Sequence, residues 1–356
     1  MRVALVGPPK SGKSTLFAAI AEAGGSHVDI HRPDQPHLAV VKVPDERLDW
    51  LTKLFQPKKV VQAELEFLDL PGLDLRDEAG RHHAKTHWAA MRQSDLLAFV
   101  VRGFASQTVP AYRDRADPAA DVREMLDEML FADLEQVTNR MEKLEAGIRK
   151  PTQHRDEEMR ELELMKRLRE TLEAEKPIAQ AISSEAEEKL LRSFAFLSQK
   201  PALVALNCSE DSLSAAAPEM PGGLPCLRVS AKIEEEIAEL PAAERAEFLA
   251  DLGVQASARD VLVRACRERL KLATFLTFAS DECRAWLVPA GTDAVTAAGT
   301  IHTDMARGFI RAETVSFEDL HAAGDMKAAK AAAKVRLEGK SYVVRDGDVI
   351  TFRFNV

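Results

Sequence analysis

The sequence predicts an α/β protein: a parallel sheet covered by helices on both faces, with a helical hairpin inserted and a small strand-rich domain at its C-terminal end. Three observations carry that reading. Short apolar runs at Arg2–Val6, Leu65–Leu68, Leu96–Val101, Ala202–Leu206 and Leu227–Val229 alternate with loops and amphipathic helical stretches. Between Asp121 and Lys150 the apolar residues Leu130, Leu134, Val137, Met141, Leu144 and Ile148 recur in steps of four and three. After about Leu272 the texture changes to β-branched and aromatic runs separated by turns.

Taken in order, Arg2–Val6 is the first buried strand and Ser14–Ala23 the helix after it. The seam between Asp121 and Lys150 ends at Pro151. A second charged helix follows with Met159, Leu162, Met165, Leu168 and Leu172 inward, and Pro177 ends it. Two such helices with a break between them make an antiparallel coiled-coil hairpin. Because the sheet pattern resumes at Pro201, the hairpin is an insertion. The expected division is 1–120 with 200–272, 121–199, and 273–356. In the last part, Thr274–Phe278, Trp286–Val288, Tyr342–Val344 and Val349–Phe354 read as strands, with a turn at Asp346-Gly347-Asp348.

Composition narrows the class. The 356 residues are 46% hydrophobic and 29% charged, with a net charge of −9, which excludes a generally basic nucleic-acid coat protein. No apolar run approaches the ~18 residues of a membrane span, and the first residues do not form a signal peptide. Cys208, Cys226, Cys266 and Cys283 form no CxxC pair, so a zinc ribbon is not expected. A reducing, cytoplasmic location is the simplest expectation.

The chemistry starts at Gly7-Pro8-Pro9-Lys10-Ser11-Gly12-Lys13-Ser14, which fits GxxxxGK[ST] between a strand and a helix. In this P-loop pattern Gly7 and Gly12 let the backbone curl, and the amides from Pro9 through Thr15 that carry N–H groups face phosphate oxygens. Lys13 reaches the β- and γ-phosphates and the Ser14 hydroxyl holds Mg²⁺. The dipole of the helix behind them favours the anion. Asp69-Leu70-Pro71-Gly72 follows the next strand: Asp69 is placed to hold Mg²⁺ through water, and the Gly72 N–H to sense the γ-phosphate. Asn207-Cys208-Ser209-Glu210 and Ser230-Ala231-Lys232 each end a strand. Asn207, Glu210, Ser230, Ala231 and Lys232 are therefore the candidate base-reading residues. Four loops in this order point to a G-domain-like nucleotide switch.

At this point the chain resembles the Obg-like ATPases of the YchF type, translation-associated P-loop proteins. The likeness runs over nearly the whole length. It includes Val43-Pro44-Asp45-Glu46-Arg47-Leu48, the inserted hairpin, Ser230-Ala231-Lys232-Ile233-Glu234, and a tail from Ala298-Gly299-Thr300 to Phe352-Arg353-Phe354-Asn355-Val356. The tail looks like that family's TGS domain, a β-grasp fold. The resemblance implies ATP as nucleotide, Mg²⁺, and ribosome association. Independently, GTP-specific relatives read guanine with Asn-Lys-x-Asp, whereas this chain has Cys208 and Glu210 at the Lys and Asp positions. Losing a charged hydrogen bond to the base costs roughly 1.5–3 kcal/mol, which weakens guanine selection and leaves GTP as the alternative.

Three departures from the family bear on mechanism. The family's Gly-x-Pro-Asn helps hold a monovalent cation, but Lys10 stands in place of the Asn, so potassium dependence is doubtful. No Thr occurs between Leu16 and Leu51, and the first-switch Thr aligns with Pro33. The second switch, glycine-rich in the family, has lost most of its glycines, and Asp77–Gln93 reads as a helix. Leu73 stands where Ras-like proteins carry a water-orienting Gln, as is normal for the family. His82 and His83 are candidates for general base or polariser, against the plainer reading of solvent-facing histidines. The i,i+4 spacing of His83 and His87 suits a metal, but no third ligand is in view.

Residues 321–356 carry a net +3 against −12 for the rest. Lys327, Lys330 and Lys334 share a helical spacing and, with Arg336 and Lys340, form a candidate contact for RNA phosphates. Two functional readings stay open: a slow ATPase switch, or a nucleotide-binding scaffold that has stopped switching and binds RNA or the ribosome.

Overall fold

The computed structural model describes residues 1–23, 32, 34–149, 154–241, 244–254, 256–278 and 281–355. In chain order the elements begin β1 (Arg2–Val6), α1 (Lys13–Ala23), β2 (His37–Val43), α2 (Glu46–Phe55), β3 (Lys59–Val61), β4 (Ala63–Asp69), α3 (Glu78–Lys85), α4 (Trp88–Gln93) and β5 (Leu96–Arg102). Next come α5 (Pro118–Ile148), α6 (Arg155–Glu173), α7 (Glu185–Leu191), β6 (Ala202–Asn207), β7 (Cys226–Val229), α8 (Ala231–Glu239), α9 (Arg245–Asp251) and α10 (Ala258–Arg269). The chain ends with β8 (Leu272–Phe278), β9 (Glu282–Pro289), α11 (Ala294–Ile301), α12 (Thr303–Arg307), β10 (Phe309–Ser316), α13 (Phe317–Ala323), α14 (Met326–Ala331), β11 (Arg336–Glu338) and β12 (Asp348–Phe354).

The first sheet runs β2-β4-β1-β5-β6-β7, with β1–β5, β5–β6 and β6–β7 parallel. All seven residues of β5 and all six of β6 are buried. Central parallel strands are covered on both faces, so they read as unbroken apolar runs rather than alternations. That is why these strands were visible in the sequence. β2 escaped notice because it alternates buried and exposed positions and includes Lys42.

Packing divides the chain into two units, Met1–Ala39 with Phe67–Leu262, and Val40–Glu66 with Val263–Val356. In the first, α5 does two jobs. Asp117 caps it by accepting from the Ala120 N–H, and Pro118 occupies its first turn. Its early residues Val122, Met125, Met129 and Ala132 pack into the core beneath the sheet with Phe99, Val101 and Trp88. Further along it forms a second core with α6, from Val137 through Met141 and Leu144 with Leu164, Met165, Leu168 and Leu172, against which the half-buried Leu130 and Leu134 also pack. The inward face of α6 differs from expectation at one end. Met159 is 48% exposed and Leu164 takes a buried place. At the junction, the buried Asp133 carboxylate accepts from the Leu197 and Ser198 N–H groups at 2.9 and 2.8 Å.

The second unit is built on the sheet β11-β10-β12-β8-β9-β3. Its β8–β9 and β10–β12 pairs are antiparallel, and β12 lies parallel to β8. Tyr342–Val344 is not a strand, since only Val343 makes one bridge, to Asp293. The turn before β12 is as the sequence suggests. Gly347 takes φ +85°, which disfavours a side chain, and Asp346 accepts from the Thr274 N–H at 2.7 Å. Arg47, just inside α2, reaches Asp45 and Asp346, both at 2.7 Å. This places the Val-Pro-Asp-Glu-Arg segment against the C-terminal sheet.

Candidate functional site

The loop between β1 and α1 is held by its glycines. Gly12 has φ +85°, and a methyl group there would sit 2.1 Å from Asn207 Nδ2. A methyl on Gly7 would sit 2.2 Å from the Val100 carbonyl oxygen. Both positions therefore demand glycine, one for conformation and both for space. Lys10 also has positive φ, at 64°, and its side chain is exposed. The Leu16 N–H donates to the Gly12 carbonyl at 2.9 Å, which starts α1 directly behind the loop. Ser14 and Thr15 stand half-buried on its first turn.

Lys13 is buried and donates to Asp69 Oδ1 and to the Leu70 carbonyl. Burial lowers its pKa from the ordinary lysine value, and Asp69 opposes that shift. The chain after β4 lies against the loop: the Leu73 N–H donates to the Gly7 carbonyl at 2.9 Å, and a methyl on Gly72 would meet Pro9 Cα at 3.0 Å. Leu70, Leu73 and Leu75 are buried, and the Leu75 N–H donates to Tyr112 Oη at 2.8 Å. This segment is fastened. The helix expected over Asp77–Gln93 is two short helices, because the chain turns at Thr86 and His87.

On the other side of the loop, Asn207 sits at the end of β6. Its Nδ2 donates to the Ser11 carbonyl at 2.9 Å, and its Oδ1 accepts from the Ala231 N–H at 3.0 Å. Ser230 caps α8 by accepting from the Ile233 N–H. Cys208 is buried, while Glu210 and Lys232 are exposed, Lys232 lying 3.7 Å from Glu236. A cavity of about 470 Å³ opens here, lined among others by Gly12, Thr15, Phe104, Asn207, Glu210 and Lys232. Thus the structure brings the loop, Asp69, Gly72 and both later motifs to one end of the parallel sheet, the usual ligand position in such folds.

Two expectations shift. His82 and His83 are exposed on α3, whereas His87 is buried with Nε2 unpartnered. Burial, then His83, then Lys13 push the His87 pKa below the ordinary histidine value. The His83 and His87 rings meet edge-to-face at 5.2 Å. Among the described residues no three His, Cys, Asp or Glu side chains are grouped to hold a metal ion. His37 was also missed: its Nδ1 is buried, unpartnered and 4.0 Å from Asp69 Oδ2. Pro33 lies outside the described residues. In the tail, α14 ends at Ala331, so Lys334 is off the helix carrying Lys327 and Lys330, and it pairs with Asp319 at 3.0 Å.

Comparisons with known proteins agree with the fold. Residues 2–140 match a family model described as a 50S ribosome-binding GTPase. Residues 272–355 match the YchF-GTPase C-terminal model, described as a protein of unknown function. The chain is 40% identical to the ribosome-binding ATPase YchF of Bacillus subtilis (strain 168), covering 99% of this chain and 98% of that one. The chain belongs to the YchF family. It is also 33% identical to Obg-like ATPase 1 of Oryza sativa subsp. japonica, covering 100% of this chain and 92% of the relative. The solved structure of the Schizosaccharomyces pombe YchF GTPase superposes with a TM-score of 0.83 at 27% identity, over 99% of this chain and 97% of that one. The P-loop fold read from the sequence is that of the YchF family.

Proposed function

We propose that the chain binds a purine nucleoside triphosphate at the loop between β1 and α1, ATP ahead of GTP, and hydrolyses its β–γ bond slowly in association with the ribosome in the cytoplasm. The observation that carries this is Asn207, which ties the P-loop to the loop opening α8 beside a cavity of nucleoside size. The relatives' names support it: one is called a ribosome-binding ATPase and another, among solved structures, a GTPase.

The residues fit the implied Mg²⁺. Ser14 offers a hydroxyl and Asp69 a buried carboxylate, hard oxygen donors suited to that ion. Bound there, Mg²⁺ would neutralise phosphate charge. Lys13 would exchange Asp69 and Leu70 for phosphate oxygens, with Gly7, Pro9, Lys10, Ser11, Gly12 and Thr15 shaping the loop and Gly72 facing the γ-phosphate. Asn207, Glu210, Ser230, Ala231 and Lys232 would hold the base, with guanine disfavoured because Cys208 and Glu210 replace Lys and Asp. Lys10 is exposed at the loop, and its ammonium would stand in for a monovalent cation, making activity independent of potassium. RNA contact would come from the hairpin and from a TGS-like C-terminal domain through Lys327 and Lys330. In this reading the working parts are 1–120 with 200–272, 121–199, and 273–356. Among the described residues no helix is long and apolar enough to cross a membrane.

The alternative, a nucleotide-binding scaffold without turnover, is favoured by one observation. The segment after Asp69 is pinned through Leu73 and Leu75, where a switch would need to move. Calorimetry with ATP and GTP, followed by single-turnover hydrolysis on the same sample in K⁺ and in Na⁺, tests both. Binding with turnover supports the ATPase, and binding alone selects the scaffold. No binding overturns both. A several-fold gain in K⁺ overturns the role given to Lys10.

A further inference from the structure

A nucleotide switch distinguishes triphosphate from diphosphate partly through a hydroxyl in its first switch, and between Leu16 and Leu51 this chain has no threonine to supply one. The structure places His37 nearby instead, at the start of β2. Its ring lies 6.4 Å from that of Phe17, and its buried Nδ1 has no hydrogen-bond partner. That nitrogen lies 4.0 Å from Asp69 Oδ2, while Lys13 occupies Asp69 Oδ1. An unpaired ring nitrogen buried beside a carboxylate is costly unless something joins the two.

The separation says what that partner is. Four ångströms is too long for a direct hydrogen bond. A water with two arms of about 2.8 Å spans it at an angle of roughly 90°. One Mg²⁺ binding both groups at about 2.1 Å would need an angle of roughly 145°, which octahedral coordination rejects. His37 is therefore placed for a water rather than for the ion itself.

We propose that His37 replaces the absent first-switch hydroxyl: its Nδ1 and Asp69 Oδ2 together hold one water of the magnesium–triphosphate complex, and this contact makes the site prefer a triphosphate over a diphosphate. The proposal rests on the nucleotide-binding reading above. It needs no movement of the pinned segment after Asp69. It also gives the site a sensing residue on the strand that enters from the first-switch side.

The test is calorimetry of the full chain with Mg²⁺ and either a non-hydrolysable ATP analogue or ADP, comparing wild type, His37→Ala and His37→Gln. Thermal melts confirm that each variant folds. His37→Ala is expected to weaken the triphosphate analogue about three- to tenfold and leave ADP unchanged, the scale of one lost hydrogen bond. His37→Gln, which keeps a polar tip within reach, is expected to recover part of the loss. Equal losses for both nucleotides, or no loss, overturn the proposal and leave His37 as a packing partner of Phe17. Mn²⁺ in place of Mg²⁺ supplies a second readout. If His37→Ala selectively weakens the Mn²⁺ complex relative to the Mg²⁺ complex, His37 touches the ion and the water-holding role is wrong. If wild type binds neither nucleotide, the nucleotide-binding reading itself fails, an outcome distinct from a variant that binds like wild type.

Discussion

Asn207 and Ser11 are joined across 196 positions of sequence by a buried hydrogen bond of 2.9 Å, from the side-chain amide of one to the main-chain carbonyl of the other. The same amide accepts from Ala231 through its oxygen. One side chain thus fixes the P-loop to the loop opening α8, and an aspartate or a leucine cannot satisfy both partners. Asn207 is therefore a brace between the two loops.

Asn207→Ala should leave the Ser11 carbonyl and the Ala231 N–H unpaired in a buried place. The expected cost is about 2–4 kcal/mol of stability, from two orphaned groups. Nucleotide affinity should fall with it, because the loop loses its brace. Asn207→Asp keeps an acceptor for Ala231 but turns a carboxylate towards the Ser11 carbonyl, so it should not rescue. Urea unfolding and ATP calorimetry on both variants check this. Stability within 0.5 kcal/mol of wild type in Asn207→Ala would show that the brace is dispensable.

Asp121 is buried in the first turns of α5, where its Oδ1 has no hydrogen-bond partner and lies 3.6 Å from the Arg115 guanidinium. Burial pushes its pKa up to about 6. An unfolded aspartate titrates near 3.9, so between about pH 4 and 6 the folded state holds more protons than the unfolded state. Stability from this residue is therefore highest below pH 4, declines up to pH 6 and stays reduced above it. Asp121→Asn should raise stability at pH 7 by about 1–3 kcal/mol and give no gain below pH 4. Denaturant titrations at the two pH values decide it, and an equal gain at both would remove titration as the cause.

The central parallel strands β5 and β6 were legible because each is buried on both faces and so reads as an apolar run. The P-loop was legible because its glycines and lysine are fixed by local geometry. The strand β10 was not, because Arg311 and Glu313 interrupt its pattern and Glu313 pairs with Arg353 on β12. Residue identity also did not show which histidine faces inward. His82, His83 and His87 look alike in sequence, and the break at Thr86 resets the helical phase, so that His87 turns in while the other two stay out. His37 was hidden for a different reason. Its neighbour Asp69 is remote in sequence, and only the sheet order brings them together.

The buried His87 gives an acid-sensitive element of opposite sign to Asp121. Burial and the nearby His83 and Lys13 hold its pKa below the ordinary value of 6.5, so the folded state prefers the neutral ring. As pH falls below about 6.5 the unfolded state takes up a proton that the folded state refuses, and stability declines. His87→Phe fills similar volume without that penalty. Its stability relative to wild type should be greater at pH 5 than at pH 7.5. If the wild-type advantage or deficit were the same at both pH values, His87 would not be titrating.

The charged tail divides into two kinds of lysine. Lys334 is paired with Asp319, whose pKa it lowers, while Lys327 and Lys330 project from α14. Exposed pairs are worth about 0–1 kcal/mol, so Lys334→Glu should change stability slightly and RNA affinity little. Lys327→Glu with Lys330→Glu should instead weaken binding to ribosomal RNA and flatten its salt dependence. Each phosphate contact contributes about 0.7–0.9 to the slope of log affinity against log salt, so the double change should remove about 1.4 to 1.8 from it. Binding measured between 50 and 200 mM salt, with the Lys334 variant alongside, separates the two. If all three lysines contribute equally, the helix boundary at Ala331 has no bearing on RNA contact. If none does, the tail's +3 charge is solvated surface.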